Sequence, residues 1–556
     1  MLAQAMTWGD RMATQVIEVE GGDWLDEHRT CDRRAHRVLK IEALPEGAIE
    51  VDLPERTDVL RALMDELAAE GEPIAITGSA WSQSDLFASP ATRIDTAMDQ
   101  VVWDIAPEFL AEDFTGNPDH FILATGGAKL SFVMNCLDDK RLSLRTAGSH
   151  KGQSIAGAIG TGTHGSIIGE SGLESHVRAL LFVNGTGAVH WIADPDCPVL
   201  SDDFVATFAK PADPALFHDA TIHLGGLGYL AAVLIEGVPR FGLSWKKALQ
   251  PLPSDWWEHV ASADYASAAA PVIGDRLPAF YEVTFDPNRG VEGEVMQTVY
   301  WRDDLSADYN EGDGPPKEPG TRDALDIIAG AINAFSARMI ENHAERDDGV
   351  GDDNDGIFSF ARRLRLLDIA DMTFDDFRKE VAENPVSMRP ESLAALTGEW
   401  KPRDVLGIRI DTFNAALAVP VSELARALEI GRAAASNWRK HFVFTVRFAV
   451  KSRASLSFLR FEDAAIINID GLTRAGIAGW ISHSDEFTRD FTNRLEQAGI
   501  AFSMHWGKDI PSDATKVAAD FGSAVTRYKA IRKALVPEAL RAILRPPMLD
   551  HWGLAD

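Results

Sequence analysis

Three features of the sequence predict an α+β protein of two or three domains. A β-helix-β pattern opens near residue 48, glycines crowd the stretch from Arg145 to Gly165, and alternating segments rich in tryptophan begin past about Arg240. A chain of 556 residues with 46% hydrophobic content can bury more than one core. The balance is acidic, with 84 Asp and Glu against 54 Lys and Arg and a net charge of −30. Such a field disfavours nucleic acid and anionic membrane as partners.

The first forty residues are mixed in character, and residues 1–44 are expected to form an arm. Ala48-Ile49-Glu50-Val51 alternates like a strand. Thr57 is placed to cap a helix running through Leu60, Leu63 and Leu67 to Gly71, and Ile74-Ala75-Ile76 follows as a second strand. The turn Gly78–Ser82 then lies at a strand's carboxyl end, where α/β folds bind cofactors. Residues 122–127, 179–183 and 231–235 continue a mixed sheet, and Asn184-Gly185-Thr186-Gly187 reads as a hairpin turn.

Beyond Arg240, Phe280–Phe285 and Met296–Trp301 alternate as strands, while Ala324–Ile340 and Val421–Asn437 carry apolar residues at helical spacing. The acidic stretches Asp303–Gly320 and Glu345–Asp355 read as solvated insertions, and His343 among them lacks the spacing of a metal site. Cys31, Cys136 and Cys197 are far apart, with no CxxC, so reduced thiols, a cytoplasmic location and no metal are expected. The N-terminus shows no apolar core of a secretory signal, and no eighteen-residue apolar run suggests a membrane span.

The segment RTAGSHKGQSIAGAIGTGTHG (145–165) holds six glycines. Gly148, Gly152, Gly157, Gly160, Gly162 and Gly165 can adopt positive φ, which lets successive N–H groups converge on a pyrophosphate. With three further stretches this segment resembles the flavoproteins with the vanillyl-alcohol-oxidase (PCMH) type of FAD domain, in particular the aldonolactone and alditol oxidase branch. The other stretches are EPIAITGSAWS (72–82), HLGGLG (223–228) and HWGK (505–508). The resemblance covers about residues 45–240 and 490–510.

The resemblance implies a two-subdomain FAD-binding domain at 45–241, an α/β substrate-binding cap at 242–490 and a C-terminal segment, 491–556, that returns to the FAD site. It implies FAD contacts from Thr77, Gly78, Ser79, Ala80, Trp81 and Ser82 in the first turn. The glycine segment contributes Gly148, Ser149, Gly152, Ser154, Gly157, Thr161, Gly162, Thr163, His164 and Gly165, the closing segment Gly225 and Gly228, and the C-terminus Lys508. In catalysis it implies charge from Lys508 and from Arg447, with Ser149, Thr445 and His505 completing the site.

The sequence departs from the pattern at four places. Trp81 stands where many relatives carry the histidine that links to the flavin, and 148–156 lacks the cysteine of a second link, so non-covalent FAD is expected; His441 is the alternative attachment point. Thr445 replaces the carboxylate of the E-x-R strand, and a hydroxyl is no base near neutral pH. His505 and His150 are the candidate replacements. Asn468 stands where alditol oxidases have a histidine. Gly148 leaves open the route that oxygen takes in relatives, which favours an oxidase giving hydrogen peroxide. The implied reaction is oxidation of a CH–OH group of a small molecule such as a polyol or aldonolactone. Two alternatives stand beside it: oxidation of bulky apolar alcohols, suggested by Trp245, Trp256, Trp257, Phe280, Tyr281 and Trp301, and a non-redox lyase or synthase.

Overall fold

The computed structural model describes residues 14–25, 32–43, 47–84, 86, 91–287, 289, 292–306, 308–309, 369–398, 411–435, 442–473, 485–508 and 511–555. Three large sheets and a two-stranded one organise these residues. The first contains β1 (Thr14–Leu25), β2 (Asp32–Ala43), β3 (Ile74–Thr77) and β4 (Thr92–Met98) in the order β1-β2-β4-β3. Strands β2 and β3 both run parallel to β4, so the residues expected to form an arm share a sheet with the first glycine turn.

Helix α1 (Ile49–Glu70) connects β2 to β3 and overturns the strand expected at 48–51. Ile49, Leu53, Leu60, Leu63, Met64 and Leu67 are buried at helical spacing, and that stripe outweighs an alternation only four residues long. Thr57 lies inside the helix and donates from Oγ1 to Leu53 O at 2.8 Å, so it is not the cap. The β-helix-β unit is real, but its first strand is β2. Gly71, at φ 75°, ends the helix by donating its N–H to Leu67 O.

The single mixed sheet expected next is a separate, six-stranded one. It contains β5 (Val102–Asp104), β6 (Phe121–Thr125), β8 (Val177–Val183), β9 (Val189–Ala193), β10 (Lys210–Pro211) and β11 (Tyr229–Glu236), in the order β10-β9-β8-β11-β6-β5. Two short strands, β7 (Leu142–Ser143) and β12 (Val238–Pro239), pair at its side. The hairpin read at 184–187 joins β8 to β9, with Gly185 and Gly187 at positive φ. Helices α2 (Leu130–Asp139) and α3 (Ile155–Gly160) pack beside these sheets, α3 being formed by the glycine segment itself.

The third sheet has eight antiparallel strands: β13 (Gly242–Pro251), β14 (Pro278–Phe285), β15 (Glu294–Asp303), β16 (Glu391–Ser392), β17 (Asp411–Pro420), β18 (Phe442–Val450), β19 (Asp463–Thr473) and β20 (Ser503–Met504). Their order is β16-β13-β15-β14-β18-β19-β17-β20. Leu417, Phe444, Val446, Phe448, Ile467 and Ile469 point into a core closed by helices, while the alternate residues of β18 and β19 face the other way. Helix Asp485–Gln497 and β20 belong to this core, and the helices from Ala514 onward join the core of the first two sheets, so the return of the chain falls at about residue 505. The expected helix at 421–437 is present as Leu424–Ala434. The expected helix at 324–340, His343, His441 and most of the acidic insertions lie outside the described residues. No described helix is long and apolar enough to cross a membrane.

Candidate active site

A long cleft, with about 1510 Å³ of empty space including its open mouth, runs between the two glycine turns and the third sheet. One wall is the turn after β3. Gly78 brings this turn so close to the glycine segment that a Cβ there would stand 1.8 Å from Ser154 Oγ. Ala80 is held at φ 52° and Leu224 at φ 50°, left-handed conformations in non-glycine residues that both line the cleft.

Of the six glycines in the 145–165 segment, only Gly162 adopts positive φ, at 72°. At most of the others what matters is space. A Cβ on Gly160 would lie 2.4 Å from His223 Cε1, one on Gly165 1.8 Å from Thr146 Oγ1, and one on Gly152 2.6 Å from the Trp81 ring. His223 in turn bonds Ala156 O through Nε2 at 3.0 Å and accepts the Gly225 N–H at Nδ1, which locks the 223–228 segment onto α3. Asn184 fastens the same segment, donating to Leu227 O and accepting the Tyr229 N–H.

The HWGK segment is clamped from both sides. Its Gly507 carbonyl accepts the Gln83 N–H at 3.0 Å, its Trp506 carbonyl accepts Ser84 Oγ–H at 2.8 Å, and His505 N donates to Ala416 O of β17. Trp506 is 2% exposed and donates Nε1–H to Leu456 O. Lys508 therefore leaves a rigid turn between the first glycine turn and the third sheet, and it lines the cleft.

Sixteen of the nineteen residues expected at the cofactor border the cleft. Gly152, Gly162 and Gly165 do not: Gly152 makes room for Trp81, Gly162 turns the backbone, and Gly165 borders a second cavity. Trp81 stacks on His150 with ring centroids 5.5 Å apart. Ser79 Oγ and Gln153 Oε1 are buried without a partner among the described residues, and both belong to cleft-lining side chains. Two closely apposed glycine turns with bare buried polar atoms fit the phosphates of a dinucleotide.

On the third sheet, Arg447, Asn468, Asp470 and Asn414 border the cleft together with His505. Thr445 does not. It is fully buried, and its Oγ1 pairs with Thr284 Oγ1 across the strands at 3.1 Å. Three residues here escaped the sequence reading. Glu282 of β14 accepts from Arg447 Nε at 2.6 Å, restoring next to the arginine the carboxylate that Thr445 lacks. Asn414 donates to Asp470 Oδ1 at 2.6 Å. The position of Asp470 two residues after Asn468, hence on the same face, was the available signal; nothing local marked Glu282 or Asn414.

Arg447, Gly148, Ser149 and His164 also border the second cavity, with about 650 Å³ of empty space including its open side, whose walls include Phe280, Tyr300, Leu243 and Leu396. Lys508 acts on both histidines of the junction and Arg447 on His164. Burial first, and then Arg447 and Lys508, push the His164 pKa down to about 3. Burial, with His164 and Lys508 as neighbours, pushes His505 well below the ordinary histidine range. Both imidazoles are neutral at working pH.

No family model matches the chain. Among curated proteins it is 28% identical over 184 residues to the L-gulono-1,4-lactone dehydrogenase of Mycobacterium tuberculosis, covering 33% of this chain and 36% of that protein. It is 35% identical over 134 residues to a putative D-arabinono-1,4-lactone oxidase of Neurospora crassa, covering 23% and 20%. The matches thus span about a third of these relatives or less. Among solved structures, a cholesterol oxidase from Brevibacterium sterolicum aligns over 97% of both chains with a TM-score of 0.61 and 13% identity. A solvent-stable cholesterol oxidase aligns over 97% of this chain and 98% of the other with a TM-score of 0.64 and 12% identity. These likenesses show the fold: over nearly its whole length the chain shares the architecture of the cholesterol oxidases, and over shorter stretches it is similar in sequence to the lactone-oxidising proteins.

Proposed function

We propose that the protein is an FAD-dependent oxidoreductase that oxidises a CH–OH group of a small polar molecule, a polyol, aldonolactone or related alcohol, with O₂ as acceptor. The observation that carries this reading is the clamp on HWGK, which brings Lys508 from one end of the chain into the same cleft as Arg447, Ser149 and the two glycine turns. Bound FAD supplies a hydride acceptor. The residues Thr77–Ser82, Ser154, Gly157, Thr161, Thr163, Gly225 and Gly228 would hold it. Lys508 and Arg447 supply fixed positive charge where negative charge develops, and Ser149 offers the substrate a hydroxyl contact. Trp81, stacked on His150 where a linking histidine is expected, supports non-covalent binding.

The lactone relatives support a polar substrate, and so does the cap face. Asn414 Oδ1 and Asn468 Nδ2 are buried beside the cleft without partners among the described residues, and they match hydroxyl groups better than a hydrocarbon. The aromatic residues that suggested a bulky apolar substrate are mostly spent elsewhere. Trp256 and Tyr281 are bonded to each other in the cap core, and Trp301 lies under Arg276. Anaerobic mixing of the FAD-loaded protein with D-arabinono-1,4-lactone, L-gulono-1,4-lactone, linear polyols and sterols tests the reading. Bleaching of the oxidised-flavin band by a lactone or polyol is the expected result; bleaching by sterols alone, or by none, rejects it.

A further inference from the structure

His164 and His505 stand in the cleft with ring centroids 5.7 Å apart, each edge-on to Phe458, and they are 7% and 4% exposed. Their outer nitrogens have opposite character. His164 Nδ1 lies 2.9 Å from the Gly165 carbonyl, which can only accept, so Nδ1 carries the proton and Nε2 keeps a bare lone pair. His505 Nδ1 accepts the Gly507 N–H at 3.0 Å, so its proton sits on Nε2. Among the described residues neither Nε2 has a protein partner, and both rings line the cleft beside Arg447 and Lys508. The backbone has thus built one neutral acceptor and one neutral donor into a site that also holds Arg447, Lys508 and the carboxylate of Asp470.

Resting on the reading above, we propose that His164 is the group that accepts the reacting hydroxyl, with His505 Nε2–H donating to the same oxygen. As the C–H hydride leaves for the flavin and the C=O bond forms, the O–H proton passes to His164 Nε2. The proton held on His164 would lie beside Arg447 and Lys508, with the hydride accepted by bound FAD. The other groups suit the task less well. Thr445 is a hydroxyl committed to Thr284, Glu282 is bound to Arg447, Asp470 already accepts from Asn414, and His505 holds its proton on Nε2. Burial, with Arg447 and Lys508 as neighbours, pushes the His164 pKa down to about 3, so its outer nitrogen is unprotonated near neutral pH.

Two substitutions separate this role from a structural one. His164→Asn keeps a donor for Gly165 O but loses the outer acceptor; His164→Gln keeps an acceptor near the Nε2 position. With a lactone or polyol that bleaches the wild-type flavin, Asn is expected to slow reduction about 10²- to 10⁴-fold with FAD still bound. Gln is expected to recover only the hydrogen-bonding part of that loss, because a carboxamide oxygen accepts a hydrogen bond but takes no proton near neutral pH. Nitrogen-15 spectra of histidine-labelled holoprotein, assigned by the signal missing in His164→Asn, are expected to show His164 protonated at Nδ1 only. Full activity in His164→Asn or in His164→Gln, or a proton on Nε2, overturns the proposal. If no lactone or polyol reduces the wild-type flavin, the reading of the site as an alcohol oxidase falls first, and this assignment with it.

Discussion

Arg447 on β18 is held by Glu282 on the adjacent strand β14, Nε to Oε2 at 2.6 Å, with both side chains about nine-tenths buried. The pair stands where the cleft meets the second cavity, so the arginine's orientation is set from behind by a carboxylate 165 residues away in sequence.

That arrangement makes Arg447 a fixed charge and Glu282 a positioning residue. Arg447→Met and Lys508→Met are expected to bind FAD and fold normally while losing about 10²- to 10³-fold in the rate of flavin reduction. Glu282→Gln keeps a hydrogen-bond acceptor and is expected to lose less, mainly in KM. Stopped-flow reduction beside a flavin absorbance titration measures both. A Lys508→Met variant as fast as wild type would place the reacting centre elsewhere.

Trp81 covers Gly152 and stacks on His150, leaving no histidine in the first glycine turn. Acid precipitation is therefore expected to release all the flavin into the supernatant. Yellow colour retained by the washed, denatured pellet would mean a covalent bond.

Gly148 borders both cavities, and its backbone does not need positive φ. A Cβ there meets Thr163 Cγ2 at 3.3 Å and His164 O at 3.5 Å, so Ala fits with small adjustments and Val crowds the junction. Gly148→Val is expected to slow reoxidation by O₂ more than reduction by substrate, with Gly148→Ala between Val and wild type. Equal slowing of both half-reactions would contradict an oxygen route past this residue.

Several histidines are buried neutral. Burial lowers the pKa of His164 and His176 to about 3 and of His223 to about 4. In the unfolded chain each titrates near 6.5, so below that pH the unfolded state gains protons that the folded state refuses, and stability falls as the pH drops. Each contributes up to about 1.4 kcal/mol per pH unit across its window. The melting temperature is expected to be level from pH 7 to 8 and to fall steadily from 6.5 toward 4.5. His176→Gln, outside the cleft, is expected to make that fall shallower. A melting temperature unchanged between pH 7.5 and 5 would refute the assignment.

The motifs at 72–82, 145–165, 223–228 and 505–508 could be read in the sequence because the demand on them is local: close backbone approach admits only small residues at defined spacing, whatever the rest of the chain does. The alternation of β18 likewise placed Thr445 and Arg447 opposite Phe444, Val446 and Phe448, since a strand's period is two. At residues 48–51 the local pattern misled, because a short alternation also fits one turn of an amphipathic helix whose stripe extends to Leu67. Only the tertiary structure decided the site's chemistry. Pairing of β14 with β18 set Glu282 against Arg447, pairing of β17 with β19 set Asn414 against Asp470, and the folds of two turns chose which nitrogen of His164 and of His505 the backbone engages. Strand register and backbone carbonyl direction are properties of the assembled sheet and turn, and no single segment encodes them.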